Sequence, residues 1–202
     1  MATLQVYVTD LETRRRAWQW RLATEAERRQ PNPAIAPSST PSASAVSTPS
    51  SRRTSTDFTR AAGQDAARVV EIHGTLQEVE CLGCGERAPM ERALARVRGG
   101  EDDPPCRTCG GILKSATISF GQGLVARDLA RAQRAAEACD LLLAIGTTLA
   151  VYPIAGMVPL AKECGARIVI VNGDATEMDA LADALLRGSI SEILPRLVPE
   201  AR

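Results

Sequence analysis

Residues 140–148 have the sequence Asp140-Leu-Leu-Leu-Ala-Ile-Gly146-Thr147-Thr148. A continuous apolar run that ends at a glycine is typical of a strand buried on both faces of a sheet. A second such run, Arg167-Ile-Val-Ile-Val-Asn172, follows after a helical pattern over 153–163. Strand, helix and strand joined by short connections predict a parallel sheet with helical crossovers, and therefore an α/β fold.

The carboxyl ends of these two predicted strands carry small and polar residues. In open parallel sheets ligands bind beyond the carboxyl ends of the strands. Gly146-Thr147-Thr148 and Asn172-Gly173-Asp174 occupy those positions. Backbone N–H groups and hydroxyls there could hold a phosphate or a ribose, although an ordinary strand-to-helix turn has the same composition. The chain has no Gly-x-Gly-x-x-Gly loop.

The sequence on either side of the two strands predicts the other elements. Asp10 is a suitable N-cap for a helix over 10–30, where apolar residues recur at helical spacing. A short strand is expected over 69–72 and an Ala-rich helix over 129–139. Two short helices, over 180–186 and 191–197, are expected to close the chain.

Four cysteines form two Cys-x-x-Cys pairs separated by 21 residues, and these are Cys81, Cys84, Cys106 and Cys109. This spacing is typical of a structural zinc site, in which four thiolates complete a tetrahedral shell. Four unrelated buried thiols are the alternative. Cys139 and Cys164 lack a partner at such a spacing and are expected to be buried at helix ends.

His73 is the only histidine in the chain and lies at the end of a predicted strand, before Gly74. The four cysteines already complete a zinc shell without it. A lone histidine is usually a structural residue, but a neutral imidazole at a strand end could also act as a general base near neutral pH.

The bulk composition restricts the class of protein. The 202 residues carry zero formal net charge, 45% hydrophobic residues and 24% charged residues. Nothing in this balance recruits nucleic acid or an anionic membrane. The first 30 residues contain no apolar signal region, and no apolar run is long enough to span a bilayer. We therefore expect a soluble, cytoplasmic protein with neither a nucleic acid nor a membrane as partner.

Residues 37–56 differ from the rest of the chain, because fifteen of these twenty residues are Ser, Thr or Pro. Such a segment buries too little apolar surface to offset its chain entropy and predicts disorder. The predicted organisation is an N-terminal helical segment over 1–34, a Ser/Thr/Pro-rich segment over 35–60, a Rossmann-like part over 61–75 and 119–198, and a zinc-binding module over 76–118.

A series of short motifs runs from about Ala61 to Leu197. They are Val70-Glu71-Ile72-His73-Gly74-Thr75, the two cysteine pairs, Gly110-Gly111-Ile112-Leu113-Lys114, Ser119-Phe120-Gly121-Gln122, Cys139-Asp140-Leu141, Gly146-Thr147-Thr148-Leu149-Ala150-Val151-Tyr152-Pro153 and Ile170-Val171-Asn172. Trp18-Gln19-Trp20-Arg21 and Pro31-Asn32-Pro33 lie nearer the N-terminus. In number and order these motifs resemble those of the sirtuins, a family of NAD-dependent protein deacylases.

The resemblance implies a partial Rossmann-like sheet and a small zinc ribbon, with NAD and one structural zinc ion as cofactors. His73 would deprotonate a ribose hydroxyl of NAD. The acetyl-lysine carbonyl oxygen would then attack the ribose carbon as nicotinamide leaves, giving deacetylated lysine, nicotinamide and O-acetyl-ADP-ribose. Other roles follow by position: Gly146, Thr147, Thr148 and Asn172 would contact the adenosine half, with Gly173 and Asp174 beside them, whereas Phe120, Gly121 and Val151 would bind the acetylated-lysine protein substrate.

Two family elements are missing, and the resemblance therefore implies impaired activity. One is the Gly-Ala-Gly-x-Ser turn that cradles the NAD phosphates. The other is a Thr-Gln-Asn-x-Asp strand end, replaced here by Arg52-Arg53-Thr54-Ser55-Thr56. One interpretation is a shifted reading frame over 35–56, because codons compatible with 49–56 encode Val-Ile-Thr-Gln-Asn-Ile-Asp one base earlier. A genuine disordered insertion is the other. Residues 1–60 are expected to be poorly ordered apart from the helix that contains Trp18.

Two other functional classes compete with the deacetylase. A non-catalytic module, in which a zinc ribbon on a degraded scaffold binds protein or nucleotide, would retain zinc without turnover. A nucleic-acid-binding zinc ribbon is disfavoured, because the segment from Cys81 to Cys109 has no aromatic residue and contains the acidic stretch Glu101-Asp102-Asp103.

Overall fold

The computed structural model describes residues 3–24, 45–47 and 69–197. Contacts divide the chain into two units, the first formed by Met1–Gln30 and His73–Leu124 and the second by Pro31–Ile72 and Val125–Arg202. The helices are α1 Leu4–Thr9, α2 Leu11–Ala23, α3 Met90–Arg98, α4 Ala126–Ala138, α5 Met157–Glu163 and α6 Ile190–Leu197; the strands are β1 Ala45–Ser47, β2 Val69–Glu71, β3 Gly74–Cys81, β4 Arg87–Pro89, β5 Leu113–Thr117, β6 Leu141–Ile145, β7 Arg167–Asn172 and β8 Ala184–Arg187.

The first unit begins with two short helices, of which the sequence predicted one. The Asp10 side chain caps α2 and accepts a hydrogen bond from the backbone N–H of Glu12 at 3.0 Å. The helix expected over 10–30 is therefore confirmed as far as Ala23, and residues 25–30 lie outside the described ranges. Helix α1 was not predicted. It is attached to β5 by the Tyr7 hydroxyl, which donates to the carbonyl of Leu113 at 2.9 Å.

Helix α2 packs on the sheet and on α3 through Trp18, which has no solvent exposure. Trp18 shares its cluster with Val79 of β3 and with Leu94 and Val97 of α3. Asp103 fixes the same helix from the side, since it accepts hydrogen bonds from Arg14 Nε at 2.7 Å and from Trp18 Nε1 at 3.3 Å. The N-terminal helix is thus part of the core of the first unit.

The sheet of the first unit is antiparallel and has the order β4-β3-β5. Helix α3 presents Ala93, Leu94 and Val97 to the core. Arg96 on the same helix is largely covered and binds Glu101 at 2.6 Å. Cys81 ends β3, and the other three cysteines lie in loops close to it.

The second unit contains a parallel sheet with the order β6-β7-β8, and the predicted α/β class is confirmed. Helix α5 forms the crossover between β6 and β7 and packs against α4. The core lies between these helices and one face of the sheet, where Val158, Ala161, Ile168 and Ile170 are fully buried or nearly so. Alanines on α4 and α5 allow the helices to approach closely.

The opposite face of β6 is more exposed to solvent than the sequence predicted. Leu141, Leu143 and Ile145 are 55%, 40% and 36% exposed, so this strand is not buried on both faces. The strand lies at the edge of its described sheet, and only Ala144 in it is fully buried. A continuous apolar run predicts a strand correctly here, but it overstates the cover of the second face.

Residues 180–186 were expected to form a helix, and this prediction is wrong. A short 3₁₀ turn over Asp179–Leu181 is followed by β8, which pairs in parallel with β7. A run as short as Ala184–Arg187 has no periodicity that separates a strand from a helix, and the pairing with β7 decides the outcome.

Within the Ser/Thr/Pro-rich segment the structure describes only 45–47. These residues form β1, which pairs in parallel with β2, whereas the sequence predicted no ordered element there. The rest of 35–60 lies outside the described ranges. Among the residues that are described, no helix combines the length and the apolar character that crossing a bilayer demands.

Candidate metal centre and nucleotide-binding strand ends

The structure brings the four predicted cysteines together. Their Sγ atoms lie within 4.8 Å of one another, with 3.4 Å between Cys81 and Cys109 and 3.7 Å between Cys84 and Cys106. Four sulfurs around zinc at about 2.3 Å would stand about 3.8 Å apart. The donor set therefore fits one structural zinc ion with no open position.

The backbone around the sulfurs is built alike in both pairs. Gly85 N–H donates to the carbonyl of Cys81, and Gly110 N–H donates to that of Cys106, each at 2.9 Å. Gly111 passes so close that a Cβ there would lie 3.0 Å from the Cys81 sulfur. Gly85 and Gly110 have φ angles of +74° and +73°, which glycine adopts without strain, and Gly111 leaves no room for a side chain beside the sulfur.

The shifted pKa values of the thiols are also consistent with a metal site. Burial opposes ionisation of Cys81, but N–H groups of Cys84 and Gly83 outweigh it and lower the pKa of Cys81 to about 7. A hydrogen bond from the backbone N–H of Glu86 favours the Cys84 thiolate. The neighbouring thiols have the opposite effect and raise the pKa of Cys84 to about 12. Ionisation of one thiol therefore opposes ionisation of its neighbours, and a bound divalent cation would allow all four cysteines to be thiolates at once.

His73 lies immediately before β3, and its position is fixed through the backbone. Its carbonyl accepts a hydrogen bond from the N–H of Ile118 at 2.8 Å. The imidazole is half-buried, and its Nδ1 atom is buried without a hydrogen-bond partner. Desolvation by burial lowers the pKa of His73 below its ordinary value of 6.5. The ring is therefore neutral at pH 7 and offers a basic nitrogen to a ligand.

Gly74 explains why a glycine follows the histidine. Its φ is +72°, and a Cβ at this position would lie 2.0 Å from the carbonyl oxygen of Ala116. Strands β3 and β5 can approach here only if residue 74 has no side chain.

The predicted substrate residues of the first unit lie on a loop after β5. Phe120 and Gly121 are both exposed, and the turn is closed by the N–H of Gln122, which donates to the carbonyl of Ser119 at 2.9 Å. The carbonyl of Phe120 also accepts the N–H of Leu4 at 3.1 Å. The first residue of helix α1 is therefore hydrogen-bonded to this loop. Val151, the third predicted substrate residue, is exposed and belongs to the second unit.

Gly146, Thr147 and Thr148 form a tight turn at the carboxyl end of β6. Gly146 has a φ of +59°, and a Cβ there would lie 2.5 Å from Cδ1 of Ile190 on α6. Thr147 Oγ1 accepts the N–H of Leu149, which itself has a φ of +52°. A left-handed leucine costs about 1 kcal/mol, and such strained residues cluster at functional sites.

Asn172, Gly173 and Asp174 follow β7, at the same edge of the sheet as Gly146. The structure therefore brings the two predicted strand ends together, and Gly146 N–H donates to the carbonyl of Val171 at 2.9 Å. Asn172 Nδ2 donates to the carbonyl of Asp174 at 3.0 Å. Backbone groups and an amide side chain at adjacent strand ends are the groups that a nucleotide ribose requires.

The sequence missed Arg187, which the pairing of β7 with β8 places opposite Asn172. It donates to the carbonyl of Asp174 at 2.6 Å and forms a salt bridge with Asp179. The only signal in the sequence is its place before Gly188 at the end of an apolar run, and the incorrect helix prediction concealed it.

The comparisons with known proteins identify the family of the chain. The sequence profile of the Sir2 family matches residues 56–153. NAD-dependent protein deacetylase 2 of Streptomyces coelicolor is 40% identical over 198 residues, which cover 98% of this chain and 82% of that protein. The chain belongs to the Sir2 family. The resemblance stated from the motifs is confirmed.

Other Sir2 proteins match over a smaller share of their length. The NAD-dependent protein deacetylase of Rhodopseudomonas palustris is 42% identical over 126 residues, so this Sir2-family chain spans about half of it. A structure of Sir2Af2 bound to a myristoylated histone peptide superposes with a TM-score of 0.77 at 26% identity, covering 98% of this chain and 82% of that one. The match of the family profile includes His73 and all four cysteines, whereas Asn172–Asp174 lie beyond it.

Proposed function

We propose that this chain is an NAD-dependent protein-lysine deacetylase whose activity is impaired. The observation that carries the proposal is His73, a neutral and half-buried imidazole whose Nδ1 atom has no partner, in a member of the Sir2 family. Buried polar atoms in proteins are nearly always paired, so an unpaired ring nitrogen favours a functional role for His73 over a purely structural one.

His73 acts as general base in this proposal. Its imidazole accepts the proton of a ribose hydroxyl, and the lowered pKa keeps the ring able to do so at neutral pH. NAD, when bound, supplies the ribose carbon that nicotinamide leaves and to which the acetyl oxygen becomes attached.

The other site residues bind and position the reactants. Gly146, Thr147, Thr148 and the Asn172-Gly173-Asp174 turn would hold the adenosine half of NAD at the strand ends. Phe120 and Gly121 would lie beside an acetylated lysine peptide, which binds as an added strand. The zinc ion would have no chemical role, because four thiolates close its shell.

We infer low activity because one group that positions NAD is replaced. Arg52–Thr56 stand where the resemblance implies the Thr-Gln-Asn-x-Asp strand end. Misplacement of reacting groups by about 1 Å can lower a rate roughly a hundredfold.

A cytoplasmic location is consistent with the cysteines. All six are free of disulfide bonds, and a site built from four thiolates persists only where thiols stay reduced.

The test is nicotinamide release from NAD with an acetyl-lysine peptide, together with mass detection of O-acetyl-ADP-ribose. Slow turnover that depends on both substrates and is lost in His73→Ala supports the proposal. Cys164→Ser, an exposed thiol outside the metal centre, is the matched control and should leave the rate unchanged. One bound zinc without any turnover would instead favour the non-catalytic binding module.

A further inference from the structure

Arg187 connects two parts of the loop that follows β7. Its Nη1 donates to the carbonyl of Asp174 at 2.6 Å, and its Nη2 binds the Asp179 carboxylate. Asp179 also accepts the hydroxyl of Thr176 at 2.7 Å, and its N–H donates to the Thr176 carbonyl at 3.2 Å. One guanidinium therefore ties the middle of the loop to its end.

The carbonyl of Asp174 is the centre of this arrangement, because it accepts two hydrogen bonds. One comes from Arg187 and the other from Asn172 Nδ2 at 3.0 Å. With Nδ2 engaged in this way, the Asn172 side chain retains Oδ1 as an acceptor for a hydroxyl donor such as a ribose hydroxyl. The conformation of Asn172 thus depends on a carbonyl that Arg187 holds in place.

We infer that Arg187 is a positioning residue for nucleotide binding, which holds the Asn172–Asp179 loop in the conformation that accepts the adenosine half of NAD. The inference rests on the proposed function, since it assumes that this loop binds NAD. It adds to that function a residue whose side chain acts on the predicted cofactor contacts through the carbonyl of Asp174.

A purely structural role accounts less well for these contacts. The side chains of Arg187 and Asp179 are 33% and 24% exposed, and ion pairs of this exposure contribute little to global stability. Their bonds all end within one loop and not across the core. A planar guanidinium can serve two acceptors at once, whereas a lysine ammonium is a single point charge on a flexible stem.

The experiment measures the dissociation constant of ADP-ribose by calorimetry for the native chain and for Arg187→Gln. We expect the constant to rise about tenfold in the variant, because the free loop must be ordered at the moment of binding. Amide hydrogen exchange over 172–179, measured without ligand, should become faster, whereas exchange within β6 and β7 stays the same. Arg134→Gln, which removes an exposed arginine from α4 of the same unit, is the matched control.

Arg187→Lys separates position from charge. It should bind ADP-ribose nearly as weakly as the glutamine variant, whereas native-like binding by the lysine variant would show that only the charge matters and would overturn the inference. Equal affinity of the native chain and Arg187→Gln would overturn it as well, even if the melting temperature falls. Failure of the native chain to bind ADP-ribose at all would refute the cofactor part of the proposed function, and this inference with it.

Discussion

Replacement of Trp18 by alanine tests whether the N-terminal helix is an integral part of the zinc-binding unit. Trp18 is 0% exposed and contacts the cluster formed by β3 and α3, and its ring also lies 5.1 Å from the Arg21 guanidinium carbon. A buried tryptophan covers about 200 Å² of surface, which at 25 cal/mol per Å² corresponds to about 5 kcal/mol. Measured Trp-to-Ala costs of about 3–5 kcal/mol agree, so we expect a loss of about 4 kcal/mol.

The matched control is Trp20→Ala on the same helix. Trp20 is 58% exposed, so its removal leaves no closed cavity and should cost less than about 1.5 kcal/mol. Both variants are unfolded in urea in the presence of zinc and followed by far-ultraviolet circular dichroism, which reports mainly the backbone conformation. If Trp18→Ala lowers the unfolding free energy by no more than Trp20→Ala, helix α2 does not stabilise the first unit and the packing argument is refuted.

Three further predictions concern the metal, the base and the glycine turn. The purified chain should carry one zinc ion per molecule by metal analysis. Cys84→Ser should lose the zinc ion, whereas the control Cys164→Ser should keep it. Equal zinc content in the two variants would exclude the four-thiolate site. Because burial lowers the pKa of His73, the neutral base persists as pH falls, so the rate of nicotinamide release should decline only below pH 6.5; a midpoint above 6.5 would contradict the assigned environment. Gly146→Ala should destabilise the chain by about 1–3 kcal/mol in thermal unfolding, because the added Cβ meets an isoleucine and φ is positive, whereas Gly173→Ala, with open space around it, should change stability by less than about 1 kcal/mol.

The sequence predicted the elements that carry strong local signals. Strands β6 and β7 were recognised because continuous apolar runs ending at Gly146 and Asn172 have few other interpretations, and Asp10 was recognised as a cap because its side chain acts within its own turn. Strand β8 was taken for a helix because four residues contain no readable period. Its strand state comes from pairing with β7, which is a long-range interaction that local sequence does not reveal.

The same distinction divides the candidate site. The four cysteines are recognisable by residue type and spacing, whereas the role predicted for His73 came only from the family resemblance. The residues that position the candidate site have no recognisable pattern in the sequence, and their role depends on which elements pack together. Ile190 contacts the turn after β6 and leaves room only for a glycine at position 146. Arg187 reaches the Asp174 carbonyl because β8 pairs with β7. A chain can therefore retain the motif residues of its family and still bind the cofactor poorly if the residues that position them are changed. In the proposed function the affinity for NAD depends on such positioning residues, which makes Arg187 as informative a position to test as His73.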